Sequence, residues 1–159
     1  MHYDRCIQTI CQTCPNLKYF KIIVKWTDEF YDLRDILQNC HYLEGLVIEF
    51  PYDSESDIDD DESLVGNDCK ILFDILAKHS PMRLYKFKLQ NIKTFIRDNL
   101  KSFFDNWKDR PPMLFQTMPK CRLFGKHFDL IKEYTAKGVI KKYDNILYVE
   151  NNYDYFEWG

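Results

Sequence analysis

The sequence predicts a short α/β solenoid in which helices and strands alternate. Parallel strands line its concave face and helices its convex face. Three observations carry that expectation. The stretches CPNLKYFKI (Cys14 to Ile22) and CHYLEGLVI (Cys40 to Ile48) share the pattern Cys-x-x-Leu-x-x-apolar-x-Ile and begin 26 residues apart. A third stretch, SPMRLYKFKL, repeats the pattern with Ser80 in place of the cysteine and an offset slipped by one residue. Each stretch follows a run whose apolar residues recur at helical spacing. A helix and a short strand repeated along a chain cannot bury their apolar sides alone, but stacked copies can.

The first unit opens with DRCIQTICQTCP, where Cys6, Ile7, Ile10, Cys11 and Cys14 form a helical stripe and Pro15 stops it. Leu17 then turns in from a bend, and Phe20 and Ile22 fall on one side of an extended strand. The second helix is DEFYDLRDILQNC, with Phe30, Leu33, Ile36 and Leu37 as its stripe and Thr27 or Asp28 as its cap. Its strand carries Leu43, Leu46 and Ile48. The third helix is DCKILFDILAKHSP, with Ile71, Leu72, Ile75 and Leu76 buried, followed by Leu84, Phe87 and Leu89. The second-to-third spacing is longer because an acidic block from Asp53 to Glu62 holds seven carboxylates and no base. Such charge density stays in solvent, so 53–64 is expected as an inserted surface loop.

A fourth helix is expected around Leu100, Phe103, Phe104 and Trp107. The segment after it, RPPMLFQTM, matches the strand pattern poorly, because Pro111 and Pro112 are stiff and Gln116 and Thr117 are polar. One more helix is read over KHFDLIKEYTAKGVIKKY, with Phe128, Ile131 and Tyr134 buried and Gly138 as a break or C-cap. A short strand at Ile146 to Val149 completes the reading. The domain division is one repeat domain over 1–145, closed by a helical region at about 120–145, then a strand or flexible tail over 146–159.

Composition narrows the function classes. The chain has 159 residues, 45% hydrophobic and 16% aromatic, enough for one packed domain. A net charge of -3 does not steer the chain as a whole toward nucleic acid or anionic membrane. No apolar run approaches the roughly 18–20 residues of a membrane span. The opening MHYDRCIQTI lacks the apolar core of a secretory signal, and no Asn-x-Ser/Thr sequon occurs. An intracellular location, cytoplasmic or nuclear, is expected, with the six cysteines reduced.

On these residues the chain resembles the leucine-rich-repeat family. Leu-x-x-Leu-x-Leu with a cysteine three residues before the first leucine is similar to the cysteine-containing repeat type common in F-box proteins. The stretches ICQTCPNLKYFKI, LQNCHYLEGLVIE and KHSPMRLYKFKL resemble fungal F-box-like repeat proteins. SFFDNWKDRPPMLFQ and DLIKEYTAKGVIKKYD resemble the closing region of that set. The resemblance covers roughly residues 1–145. It implies a substrate-recognition module of a ubiquitin-ligase receptor, in which an F-box recruits the ligase adaptor and the repeats hold the substrate. No F-box is found here, and the chain begins inside a repeat helix without a polar cap. It is therefore expected to be part of a longer protein or a product that lost its N-terminal half. Lys25, Pro51 and Ile92 stand where the family places asparagine or cysteine, which departs from an asparagine ladder.

Candidate sites follow from residue chemistry. Cys11-Gln-Thr-Cys14, with Cys6 nearby, raises zinc or redox chemistry. Zinc needs a second close pair, and Cys40-His41 is the only candidate. A redox pair opens a helix, whereas this one closes one. Cys14 and Cys40 are read as equivalent small apolar residues at the helix-to-strand bend. The acidic block fails as an EF-hand, since Ile58 and Leu64 occupy the glycine and glutamate positions. Ser54 and Ser56, each followed by carboxylates, are compositional phosphorylation candidates only. The histidines His2, His41, His79 and His127 form no set with a nucleophile, and no glycine-rich phosphate loop occurs. No enzymatic activity, metal or cofactor is expected.

The strand residues opposite the core are the expected working surface: Tyr19, Lys21 and Ile23, then Val47 and Glu49, then Lys86, Lys88 and Gln90. Aromatic and aliphatic anchors among charges suit a protein partner, while three lysines are too few for nucleic acid. Three readings follow: a protein-binding module serving a ligase receptor, a free-standing repeat scaffold or remnant, and a cysteine-based redox or metal protein. A ligase adaptor is expected only where an F-box precedes the repeats.

Overall fold

A computed structural model describes residues 3–24, 28–50, 65–92, 97–119 and 128–145. Five helices and five strands alternate among them: α1 Tyr3–Thr13, β1 Tyr19–Ile23, α2 Asp28–Asn39, β2 Gly45–Glu49, α3 Val65–His79, β3 Lys86–Ile92, α4 Arg97–Asn106, β4 Met113–Pro119, α5 Phe128–Ala136 and β5 Ile140–Asn145. The strands form one sheet in chain order, β1-β2-β3-β4-β5, with every neighbouring pair parallel. The fold is α/β, with α2 to α5 serving as the crossovers between adjacent strands.

The sequence alignment of the repeats is also their spatial register. Phe20 pairs with Leu46 and Leu46 with Phe87, while Ile22 pairs with Ile48 and Ile48 with Leu89. The same bend enters each of these strands: the Leu17, Leu43 and Leu84 amides donate to the carbonyls of Cys14, Cys40 and Pro81 at 3.1, 3.2 and 3.0 Å. One apolar core joins these strand residues to Leu33, Ile36 and Leu37 of α2 and to Leu72 and Leu76 of α3. Toward the later units it becomes aromatic: Phe103 meets Phe87, Trp107 and Phe104, and Phe104 meets Phe115 and Tyr134.

Several expectations are corrected. RPPMLFQTM does carry a strand, because both prolines precede its first residue, Met113, and cost the ladder no donor. Thr117 is satisfied by the Tyr143 hydroxyl at 2.7 Å and Asn145 Oδ1 at 3.3 Å. The last helix ends at Ala136, and Gly138 takes a left-handed φ of 78° before the chain turns into β5. IKKY is thus strand rather than helix. Ile71 is exposed on α3, and Phe73 takes the buried place instead. Phe128 is more than a third exposed, whereas Ile131 and Tyr134 are buried as expected. The acidic loop 53–64, the Thr27 cap, residues 120–127 of the closing region and the strand at 146–149 lie outside the described residues.

A kink in β3 has a local cause. Asn91 adopts φ of 58° where the β3–β4 register shifts, and its side-chain amide donates to the Phe50 carbonyl at 3.1 Å. Asparagine tolerates this conformation because its short polar side chain bonds locally.

The α4–α5 contact closes with a polar bridge. The buried Tyr134 hydroxyl donates to Asp105 Oδ1, and Lys101 Nζ reaches Asp105 Oδ2 at 3.1 Å. The tyrosine bond, ahead of the lysine contributions, holds the Asp105 carboxyl below its usual range. A depressed folded pKa adds stability above the unfolded value of about 3.9, and that stability is lost as pH falls through the lower folded value. Asp105 is half exposed, so the bridge is assigned only about 1 kcal/mol. Tyr134→Phe is expected to cost that amount at neutral pH in urea unfolding. The gap to wild type should shrink on acidification through the carboxylate range. A gap independent of pH would assign the loss to packing instead.

Candidate functional site

Strand alternation places Tyr19, Lys21, Ile23, Val47, Glu49, Lys86, Lys88 and Gln90 on the sheet face away from the core. In register they form cross-strand rows: Tyr19, Gly45, Lys86 and Leu114; Lys21, Val47, Lys88 and Gln116; Ile23, Glu49, Gln90 and Met118. The eight predicted residues are therefore brought onto one surface.

Their exposure divides sharply. Tyr19 and Ile23, on edge strand β1, are 48% and 46% exposed, and Lys21 and Glu49 are half-buried. Val47, Lys86, Lys88 and Gln90 are 3%, 5%, 1% and 2% exposed, which corrects the expectation that all eight face solvent. Position across the sheet is part of the reason. Inner strands have a neighbour about 4.8 Å away on both sides, whereas an edge strand has one open flank. A lysine leaves water only with compensation, and none of Lys86, Lys88 and Gln90 is without a partner. Gln116 of β4, absent from the sequence prediction, is fully buried beside Lys88, and neither of its side-chain amide atoms has a hydrogen-bond partner.

Local contacts order the exposed end. Lys21 Nζ lies 2.8 Å from Glu49 Oε2 across β1 and β2. Lys86 Nζ lies 3.5 Å from the Tyr19 hydroxyl and sits 5.4 and 5.5 Å from the Tyr19 and Tyr85 ring centres. Tyr19 is thus held upright by a cation against its ring. Ile23 stands two residues further along the same strand. The result is two apolar anchors flanking an ion pair.

A shallow depression lies between α2 and α3, lined by Tyr31, Arg34, Ile71, Asp74, Ile75, Lys78 and His79. Its volume of about 200 Å³ is below the roughly 300–1,000 Å³ typical of small-molecule sites. Arg34 stacks 5.3 Å from the Tyr31 ring, and Gln38 Nε2 meets His79 Nδ1 at 3.0 Å.

The cysteines are placed differently from the sequence reading. Cys40 is fully buried, but Cys14 is exposed, so the two are equivalent in the chain and not in burial. Cys40 lies between units on both sides, while Cys14 belongs to the edge unit. Cys11 is half-buried against the core, with its thiol 3.9 Å from the Asp35 carbonyl in the last turn of α2. Burial, followed by Cys11 and Cys14, pushes the Cys40 thiol up to about 11. All five described cysteines are free. Among the described residues, no three His, Cys, Asp or Glu side chains are grouped to hold a metal ion, and no helix is long and apolar enough to cross a membrane. No protein-family model matches this chain, nor does any curated protein or solved structure match it significantly.

Proposed function

We propose that this protein is a leucine-rich-repeat solenoid that binds another protein through the β1 side of its concave sheet face. The supporting observation is the pair Tyr19 and Ile23, both nearly half exposed on one strand face and flanking the Lys21–Glu49 ion pair. Large apolar side chains held in place beside charges are the usual energetic anchors of a protein interface. Tyr19 is ordered in advance by Lys86, which lowers the entropy cost of binding. The buried Val47, Lys86, Lys88 and Gln90 stand on the same face and are not proposed as contacts. The reading assigns binding and no chemistry.

By resemblance, the bound protein is a ubiquitination substrate and the chain is the recognition part of an F-box-type receptor. A free-standing scaffold is the alternative. Affinity capture with the full chain, compared with the Tyr19→Ala/Ile23→Ala double variant, tests the surface. A specific partner should be lost or weakened at least tenfold in the variant while the circular dichroism spectrum and Tm stay unchanged. A partner set indifferent to both substitutions would overturn the surface assignment. Recovery of a cullin adaptor with an F-box-containing product favours the ligase reading, and its persistent absence favours the scaffold.

A further inference from the structure

The middle of the concave sheet face is enclosed, and the described elements do not enclose it. Lys88 and Gln116 are 1% and 0% exposed there, and Lys86, Gln90 and Met118 are buried around them. Among the described residues, every buried apolar side chain of the five helices belongs to the core on the opposite face, with Ile22, Ile48 and Leu89. Val47 and Met118 are also buried, yet they stand apart from that core. Neighbouring strands screen a side chain on its flanks only, so an open face leaves the head of a lysine in water. The cover fades toward both edges of the sheet, where Tyr19, Ile23 and Lys142 of the same face are exposed. We propose that residues 146–159 of this chain dock across β2, β3 and β4 as an intramolecular ligand of the concave face.

Position, length and chemistry select this segment. It starts directly after Asn145, which pairs with Thr117 at the end of β5. Crossing from β5 to β2 takes three strand spacings, about 14 Å, and the segment spans up to about 45 Å when extended. Its sequence, ILYVENNYDYFEWG, holds Glu150, Asp154 and Glu157 and no lysine or arginine. The face it meets carries Lys86 and Lys88, and a buried ammonium needs an opposite charge to offset its lost hydration. Tyr153, Tyr155, Phe156 and Trp158 supply apolar area to cover Val47 and Met118. The other long segments outside the described residues fit less well. The stretch 53–62 holds seven carboxylates, which repel one another when buried in one strip. The stretch 120–127 brings Lys120, Arg122 and Lys126 to a face that already carries lysines. A tail seated over β2 to β4 leaves Tyr19 and Ile23 open, so the inference does not depend on a partner binding there.

The test uses the full chain in two measurements. In the first, p-benzoylphenylalanine takes the place of Phe156, and the protein is irradiated and mapped by peptide mass spectrometry. Cross-links within one chain to the peptides of β3 or β4 are expected. In the second, the lysines are labelled with an amine-reactive reagent, and Lys88 should react at least about tenfold more slowly than Lys142, because a covered side chain reacts only on local opening. The charge-reversed variant Glu150→Lys/Asp154→Lys/Glu157→Lys leaves every described residue intact and is checked for native circular dichroism. It should abolish most of the Lys88 protection. The cross-link decides alone where that variant loses its native spectrum. Cross-links to the helices, cross-links joining two copies of the chain, or Lys88 protection unchanged by the charge reversal would each overturn the inference.

Discussion

Replacing Phe103 with alanine is expected to cost roughly 3–5 kcal/mol, a large share of the 5–15 kcal/mol that holds a domain together. Phe103 is 1% exposed on α4. Its ring lies 5.5 Å from Phe73 of α3, 5.5 Å from Phe87 of β3, 5.7 Å from Phe104 and 5.4 Å from Trp107. Two helices and a strand therefore meet on one side chain. Burying a phenylalanine contributes about 1.5–3 kcal/mol by transfer alone. The remaining loss comes from the void. Four rigid rings line it, and Phe87, Trp107 and Phe104 are held by further ring contacts, so the cavity cannot collapse cheaply. Phe128→Ala makes the natural comparison. That ring is 37% exposed and meets Tyr143 edge-on at 6.1 Å, so its loss should cost about 1 kcal/mol. Urea midpoints measured at constant m-value will separate the two. A Phe103→Ala cost no larger than that of Phe128→Ala would refute the packing account.

The legible and illegible parts of this chain differ for physical reasons. Stacking forces Phe20, Leu46 and Phe87 to share one environment, so a sequence period of apolar residues became a cross-strand register. Prolines were misleading at β4 because Pro111 and Pro112 lie before the ladder, where a missing N–H has no cost. Strand β5 was missed because it is an edge strand. Ile140 is buried, Lys141 and Lys142 are exposed, and a register shift at Met113 breaks the alternation. Of the candidate face, alternation predicted which residues share a side, and the rows confirm it. Alternation does not encode a strand's place across the sheet, so it could not separate exposed Tyr19 from buried Lys88. The contact of the Cys11 thiol with the Asp35 carbonyl was likewise invisible, since it depends on how α1 packs against α2 rather than on spacing.

Arg110→Ala should destabilise the protein by about 2–3 kcal/mol, because one side chain serves the end of α3 from a distant turn. Helix α3 ends at His79 and leaves carbonyls without intrahelical donors. Arg110 Nη1 donates to the Ser80 carbonyl at 2.7 Å, and Nη2 to the Ala77 carbonyl at 3.4 Å. The guanidinium lies 4.7 Å from the centre of the Trp107 ring, whose Nε1 in turn donates to the Pro111 carbonyl at 3.1 Å. Burial lowers the Arg110 pKa, yet guanidinium stays charged and faces the negative end of the helix dipole. Asp109, at φ of 67°, sets the turn that aims it. Lysine carries one ammonium and no planar fork, so Arg110→Lys should recover less than half of the loss. Ser80 separates this capping from side-chain effects at the same position. Its hydroxyl is buried without a hydrogen-bond partner, so Ser80→Ala should be neutral or slightly stabilising. Thermal unfolding should show a Tm drop of about 4–12 °C for Arg110→Ala, and hydrogen exchange should show faster opening in the last turn of α3 than elsewhere in that helix. Unchanged protection there, together with a Tm near wild type, would show that α3 ends without help from Arg110.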